Sequence, residues 1–191
     1  MNRRKLLAVT GASLTGLAGC LSATEYTVTD VTVEDQPSPV SLGVERVEPR
    51  ALVEHPARLE FTVTNTGETA IEVRNTGIWP LGVLKVVASL DSVRAAGEVL
   101  WTDRYEASEY VDATSRRNYS AESTPLVRTL AAGNSITEPY DLHGDSISRE
   151  GERVVRGWPD PPLLEYRTTT TDEWESYLPT VRVQIEQRGV I

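Results

Sequence analysis

The chain has very little cysteine, histidine, lysine and phenylalanine for its length. Cys20 is the only cysteine among 191 residues, so intramolecular disulfides are excluded and the fold must be held together by its core. His55 and His143 are the only histidines, and they are too far apart along the chain to show the close spacing of metal ligands. The sequence therefore predicts neither a metal site nor a cofactor.

Motifs that carry catalysis are also missing. The sequence contains no Gly-x-Ser-x-Gly, no phosphate-binding glycine loop and no His-Glu-x-x-His. Carboxylates are so frequent that pairs suited to acid–base chemistry stay open, although most of them are expected on the solvated surface. His143 lies near Asp141 and Asp145, where an acidic loop is favoured over a weak cation contact. We therefore predict that the protein is not an enzyme.

The charge is strongly one-sided. Removing Arg3, Arg4 and Lys5 from the 19 basic residues leaves 16 against 28 acidic ones, a balance of −12, and Lys85 is then the only lysine. Such a surface repels itself unless salt screens it, and the Debye length falls to roughly 3 Å at 1 M salt. Acidic, lysine-poor chains of this kind resemble those of halophilic archaea; an ordinary acidic extracytoplasmic protein is the alternative. The acidity argues against nucleic acid as a partner.

The N-terminal segment has the layout of an export signal. Arg3 and Arg4 open a basic region, and the apolar stretch from Leu6 to Leu17 has 12 residues, below the roughly 20 that a spanning helix needs. Leu17-Ala18-Gly19-Cys20 resembles a lipobox, in which the cysteine thiol receives the lipid. The paired arginines resemble a twin-arginine signal, with general secretion as the alternative route. A buried N-terminal helix that ends in a chance cysteine is the competing interpretation of the whole segment.

This layout predicts where the protein works. Residues 1–19 form a signal peptide that is removed, and residues 20–24 form the lipid anchor and a short tether. The four residues from Leu21 to Thr24 reach roughly 13–14 Å when fully extended. We therefore expect the protein on the extracytoplasmic face of the cell membrane, lipid-anchored through Cys20, with its folded part close to the surface.

The clearest structural pattern lies between Arg58 and Arg74. Apolar residues alternate with polar ones on both sides of the turn Asn65–Thr69, which predicts a β-hairpin with one buried face. Weaker strand patterns are predicted at several other places. They are residues 26–33 with either a bulge or a crossing between sheets after Val28, 42–47, the central run 84–90, 99–101, 136–142 at an edge because of Pro139, and 181–186.

Many short strands without an amphipathic helix predict a single all-β domain over residues 25–191, an immunoglobulin-like antiparallel β-sandwich. Removing 19 of the 191 residues leaves 172, an ordinary size for one domain. Polar inserts are expected near 107–124 and 145–171. Asn118-Tyr119-Ser120 is a glycosylation sequon in the first insert, so Asn118 is a candidate glycan acceptor. Core positions are favoured over a binding groove for the four tryptophans, Trp79, Trp101, Trp158 and Trp174.

The chain shows two resemblances to known families. The run from Ala57 to Val73, with Gly97-Glu98-Val99-Leu100-Trp101 and Leu130-Ala131-Ala132-Gly133-Asn134-Ser135-Ile136 in the same order, is similar to the bacterial intracellular proteinase inhibitor domain, an immunoglobulin-like sandwich. This resemblance covers about residues 57–142 and implies the fold more than an activity. The whole chain resembles haloarchaeal surface lipoproteins, which implies no particular chemistry.

Two functions follow as hypotheses. The first is a non-enzymatic binding or structural module of the cell surface, with a protein or glycan as partner. The alternative is a proteinase-inhibitor-like domain that acts on extracellular proteases.

Overall fold

The computed structural model describes residues 25–35, 37–89, 97–159, 162–168 and 171–188. The predicted signal residues Arg3, Arg4, Leu17, Ala18 and Gly19 and the predicted lipid acceptor Cys20 lie outside the described residues. No helix in the described ranges is long and apolar enough to cross a membrane.

The described part of the chain is built almost entirely of β-strands. The strands are β1 (Glu25–Glu34), β2 (Val40–Glu48), β3 (Arg50–Ala51), β4 (Ala57–Asn65), β5 (Ile71–Thr76), β6 (Val83–Val87), β7 (Glu98–Leu100), β8 (Val111–Ser115), β9 (Asn118–Ala121), β10 (Pro125–Leu130), β11 (Ser135–Leu142), β12 (Gly151–Trp158), β13 (Leu164–Thr168), β14 (Glu175–Tyr177) and β15 (Thr180–Arg188). The single α-helix, α1, is one turn long (Arg104–Ala107), and a 3₁₀ turn covers Gly144–Ser146.

These strands form three main sheets and one small one. The six-stranded sheet has the order β3-β1-β15-β12-β6-β7, the four-stranded sheet β10-β5-β13-β14 and the three-stranded sheet β11-β4-β2, while β8 and β9 pair with each other. Every pairing among the described strands is antiparallel. The sheets pack as a sandwich, so the prediction of an all-β antiparallel sandwich is confirmed, consistent with the immunoglobulin-like class.

One hydrophobic core joins the three main sheets. In β4 the buried residues Leu59, Phe61 and Val63 alternate with partly exposed polar ones, as the pleat of a strand requires. Fully burying a side chain of this size contributes roughly 1.5–3 kcal/mol. Tyr105 and Tyr140 occupy core positions in a chain that has a single phenylalanine, and both hydroxyls donate to backbone carbonyls, of Leu100 and Gly82 respectively, at 3.0 Å.

The predicted hairpin between Arg58 and Arg74 is wrong in its pairing. Both predicted strands exist, as β4 and β5, but β4 pairs with β2 and β11 while β5 pairs with β10 and β13. The chain therefore arches from one sheet to another between Asn65 and Ile71. Alternating polarity fits both arrangements, because each strand turns one apolar face towards the same core.

The other predicted strand features agree with the structure. The register between β1 and β15 shifts between Val28 and Asp30 while β1 stays in one sheet, so the first of the two predicted alternatives, the bulge, is present. β6 is a central strand between β12 and β7, although residue 90 of that prediction lies outside the described residues. β11, which contains Pro139, is an edge strand, as predicted.

The two segments predicted as polar inserts differ from each other. Residues 107–124 contain the hairpin of β8 and β9, a separate two-stranded sheet. Residues 145–171 contain β12 and β13, which belong to the six-stranded and four-stranded sheets. This second segment is part of the sandwich, because its buried residues such as Val155 and Tyr166 contribute to the common core.

The two ends of the sandwich are distinguished by which of them holds the start of β1. We call proximal the end where β1 begins at Glu25, paired with Arg188, and where Ala51 pairs with Tyr26. The distal end is the opposite one, where β12 finishes at Trp158.

Candidate functional site

The strand β10 is an edge strand with an exposed surface. Among the described residues it pairs only with β5, from Pro125 opposite Thr76 to Leu130 opposite Ile71. Its middle is open to solvent, and Val127 is 45% exposed, unusually high for a large apolar side chain. An edge of this kind presents unpaired backbone groups that another strand can join.

Two clefts flank this edge, one on each face of the sheet. Leu126 and Arg128 line the first, which we call the Trp79 cleft, and Pro125 lines the second, which we call the proline cleft. Successive residues of a strand point to opposite faces. An additional strand beside β10 would therefore direct its side chains alternately towards the two clefts.

The Trp79 cleft has a volume of about 290 Å³. Trp79 is held in place at both ends, because its Nε1 donates to the Val73 carbonyl and its own carbonyl accepts from Arg104 Nη1, each at 3.0 Å. The guanidinium of Arg128 lies over the indole, 5.5 Å from its centroid, which is cation–π geometry. The wall beside β10 is thus a fixed aromatic ring covered by a cation.

Of the two arginines that line the Trp79 cleft, only one is paired with a carboxylate among the described residues. Arg104 forms an ion pair with Glu138, whose carboxylate is buried and also accepts a hydrogen bond from Thr102 Oγ1 at 3.2 Å. Arg128 forms no ion pair with any described residue. At the rim, hydrogen bonding to the Glu109 carboxylate is the main cause that raises the pKa of Tyr110. Arg128 is therefore the cation in this cleft that is available to a negatively charged group.

The proline cleft, of about 320 Å³, is predominantly apolar with one fixed ion pair. Pro125, Pro159, Pro162 and Leu164 form the apolar part of its wall. Arg74 pairs with Glu165 across the strands in a two-bond contact, Nε to Oε2 at 2.6 Å and Nη2 to Oε1 at 3.0 Å. Such a cleft suits an apolar side chain.

Asn75 gives the proline cleft a rigid floor. Its Oδ1 accepts from the Thr76 backbone N–H at 2.7 Å, and its Nδ2 donates to the carbonyls of Pro80, at 3.1 Å, and Leu163. These bonds tie three chain segments together, so the cleft exists before any ligand arrives.

A charged ladder covers the sheet face next to the proline cleft. Glu72 and Arg167 form a second cross-strand pair, with Nε to Oε2 at 2.5 Å. The ring of Trp174 lies against both arginines, 4.3 Å from the Arg74 guanidinium carbon and 4.7 Å from that of Arg167. Opposite charges directly across a sheet and cation–π contacts stabilise this face.

The preference for core tryptophans is right for two residues, holds in part for Trp158, which packs against the core, and is wrong for Trp174. Trp79 and Trp101 are buried. Trp158 is only partly buried, and Tyr119 packs against it edge-on at 5.3 Å, while Trp174 lies outside the core cluster on the charged ladder. The physical reason is that cations and a tyrosine cover these two rings on outer sheet faces.

The structure does not bring the histidines into a site. Asp141 pairs with Arg58 and Asp145 with Arg116, so arginines occupy both carboxylates near His143. Burial, followed by Arg116, lowers the pKa of His143. His55 is exposed on another loop. No group of three or more histidine, cysteine, aspartate or glutamate side chains in the described ranges is placed to hold a metal ion.

Asn118 begins β9 at an exposed position. Its Nδ2 donates to Thr114 Oγ1 at 2.7 Å across the hairpin. Glycosylation of this sequon stays a prediction.

Sequence reasoning missed β10 altogether. Its residues, Pro-Leu-Val-Arg-Thr-Leu, show no alternation, because this edge strand buries Leu130 and only part of Leu126. The available signal was the β-branched content after Pro125, which is typical of strands but weak by itself.

A comparison with family models matches residues 1–191 to one described as Domain of unknown function (DUF8130). No curated protein and no solved structure matches the chain.

Proposed function

Because this chain belongs along its whole length to the DUF8130 family of unknown function, we propose a function from its own residues. The protein is a lipid-anchored, extracytoplasmic binding module that captures an extended segment of a partner protein at β10. The observation that carries the proposal is the position of this open edge between two preformed clefts.

The anchor is the first half of the proposal. It rests on Leu17-Ala18-Gly19-Cys20 behind the basic residues Arg3 and Arg4, a layout suited to export and lipidation at Cys20. A single acyl chain binds a membrane only marginally, so a durable anchor requires a lipid with two chains. The acidic composition suits an exported protein in a salty medium, as in halophilic archaea.

Strand addition is the binding mode that fits β10. Backbone hydrogen bonds to an exposed sheet edge supply affinity, and pockets for alternate side chains supply specificity. The Trp79 cleft and the proline cleft lie on the two faces where those side chains would point.

The charges define the partner's chemistry. An acidic side chain in the Trp79 cleft would meet Arg128, which forms no ion pair within the described ranges, and an apolar side chain in the proline cleft would meet Pro125, Pro159 and Pro162. The preferred segment therefore alternates acidic and apolar residues. Salt screens the repulsion between such a segment and the acidic surface.

We assign no catalytic step to this site. Arg104 and Glu138, like Arg74 and Glu165, are committed to ion pairs that hold the cleft walls. Their geometry favours recognition.

The anchor is tested by the intact mass and lipid content of the protein from its native host. Cys20→Ala is expected to lose the lipid mass and leave the membrane fraction, whereas Ser22→Ala, the matched control, keeps both. Unchanged mass and membrane retention of Cys20→Ala would refute the anchor.

The binding mode is tested with a fluorescent eight-residue peptide of alternating valine and aspartate, added to the full chain carrying Cys20→Ala. We expect saturable binding, with amide-exchange protection at residues 125–130. Arg128→Glu should weaken binding by more than tenfold and bind the corresponding valine–lysine peptide instead. Arg117→Glu, an exposed arginine outside both clefts, is the control and should bind as the parent does. Equal affinity of the parent and Arg128→Glu, or no protection at β10, would overturn strand addition.

A further inference from the structure

The segment 47–58, which joins β2 to β4, lies at the proximal end of the sandwich. Ala51 within it pairs with Tyr26, the second residue of β1. The chain therefore enters the fold beside this segment. Only residues 21–24 separate β1 from Cys20, and they reach roughly 13–14 Å when extended.

Segment 47–58 exposes apolar side chains. Four large apolar residues of the described part are exposed, and two of them, Val47 at 50% and Val53 at 45%, are in this segment. Val47 is turned out by a bulge, since the register between β2 and β4 shifts between Arg46 and Glu48. Scattered exposed apolar residues are common on protein surfaces, so these two gain meaning from their place beside the start of β1.

A cleft that Val47 helps to line contains two arginines. It has a volume of about 550 Å³, and its lining includes Arg50, Arg58 and the carboxylate of Glu48, which lies 3.7 Å from Arg50 Nε. Arg58 uses Nε and Nη2 to bind Asp141, at 2.8 and 2.9 Å, and no contact among the described residues uses its Nη1. Arginine donors of this kind bind phosphate oxygens.

The segment is also electrically balanced. Residues 47–58 carry two arginines and two glutamates, whereas the part of the chain after Gly19 carries a balance of −12. This segment can therefore approach phosphate-bearing headgroups with less repulsion than the acidic remainder of the protein.

The segment is held in shape before any contact. Leu52 N–H donates to the His55 carbonyl at 2.9 Å, and the Leu52 carbonyl accepts from Gly144 N–H at 3.1 Å. The ring of His143 lies against the Val53 carbonyl, at 3.4 Å from Nδ1. Val53 is thus presented by a fixed loop.

We propose that segment 47–58 is a second membrane contact, which inserts Val47 and Val53 among lipid headgroups and binds headgroup phosphates at Arg50 and Arg58. The inference rests on the proposed anchor, because the short tether from Cys20 brings this end to the lipid surface. It places β10, whose clefts include the distal residue Pro159, away from the membrane.

The lone thiol allows a test that is independent of native lipidation. A maleimide-coupled lipid attached to Cys20 of the full chain tethers the protein to vesicles of phosphatidylcholine and phosphatidylglycerol. Hydrogen exchange of the tethered protein should slow at least fivefold in residues 47–58, relative to the same protein without vesicles, and should be unchanged in residues 125–130.

Paired variants separate insertion from tethering. Val47→Asp with Val53→Asp should abolish the protection while the protein stays tethered. Val127→Asp with Leu178→Asp, the other two exposed apolar residues, is the matched control and should keep it. Absence of protection in the parent, or protection that survives the first pair, would overturn the docking surface and leave the anchor standing. If the native protein carries no lipid, the proposed anchor at Cys20 is refuted. The hydrogen-exchange result on the artificially tethered protein is unaffected by that outcome.

Discussion

The side-chain amide of Asn65 donates a hydrogen bond to the carbonyl of Leu130 at 3.0 Å, from a fully buried position. This bond links the end of β4 in the three-stranded sheet to the end of β10 in the four-stranded sheet. The same side chain donates to the Thr69 carbonyl and accepts from Gly67 N–H. Asn65 therefore fixes the arch through which the chain passes from one sheet to the other.

Replacing Asn65 by alanine should destabilise the fold markedly. Each buried backbone group left without a partner costs about 1–3 kcal/mol, so we expect a loss of roughly 2–4 kcal/mol in the free energy of unfolding. Urea unfolding at constant salt measures it. Asn134→Ala is the control, since Asn134 is exposed and hydrogen-bonds through its backbone. Equal losses in the two variants would show that the Asn65 side chain does not hold the arch.

Gly144 should not tolerate a side chain. A Cβ there would lie 2.2 Å from the Ala51 carbonyl oxygen, and backbone cannot move aside as a flexible side chain can. Overpacking of this kind costs about 1–3 kcal/mol, so Gly144→Ala should unfold at lower temperature. Gly43→Ala has open space, with its nearest neighbour at 4.0 Å, and should behave as the parent. A melting temperature of Gly144→Ala equal to that of Gly43→Ala would contradict the close approach.

Lys85 should react with amine reagents at lower pH than free lysine. Burial, followed by the nearby Arg156, lowers its pKa from 10.5, and the rings of Trp158 and Tyr119 lie 5.0 and 5.3 Å from its Nζ. Reductive methylation of Lys85, read by peptide mapping and normalised to its plateau, gives the pH at which half of the lysine reacts. The same pH midpoint measured for Nα-acetyl-lysine amide is the reference. Tyr119→Ala should move the midpoint upward by exposing the amine. A parent midpoint at or above that of the free amine would contradict the prediction.

Acid should weaken the fold partly through His143. Burial lowers its pKa in the folded state below 6.5, so the unfolded chain binds the proton more readily as the pH falls. The stability linked to His143 is therefore complete above about pH 6.5 and declines as the pH falls towards the folded-state pKa. His143→Gln should flatten the pH dependence of urea unfolding between about pH 7 and 5. His55→Gln, which replaces an exposed histidine, is measured beside it as the matched variant. Identical slopes in the parent and His143→Gln would contradict this coupling.

Sequence patterning was reliable where a strand buries one face. β4 and β15 alternate buried and partly exposed residues along most of their length, and both were predicted from that alternation. The bulge after Val28 was equally visible, because the apolar phase shifts by one residue. In each of these segments, the two-residue period of a strand produces both the apolar–polar alternation in the sequence and the alternation of buried and exposed side chains.

The strand that pairs with each predicted strand was not visible in the same patterns. Alternation says that a strand has one apolar face, and it does not say which strand lies beside it, so β4 and β5 were joined in a hairpin that the structure divides between two sheets. β10 escaped notice because it buries little. The clefts beside it combine residues from distant segments, such as Trp79 with Arg128 and Pro125 with Pro162, and no local pattern records such meetings.

The sequence by itself determined the all-β class, the acidity, the absence of intramolecular disulfides and the expectation of an anchor at Cys20, because composition and local period carry these properties. Only the tertiary structure decided that Asn65 marks a crossing between sheets, that β10 is an open edge between two clefts, and that Val47 and Val53 lie beside the start of β1. Those features depend on contacts between residues far apart in the chain, which form only when the sheets close on a common core.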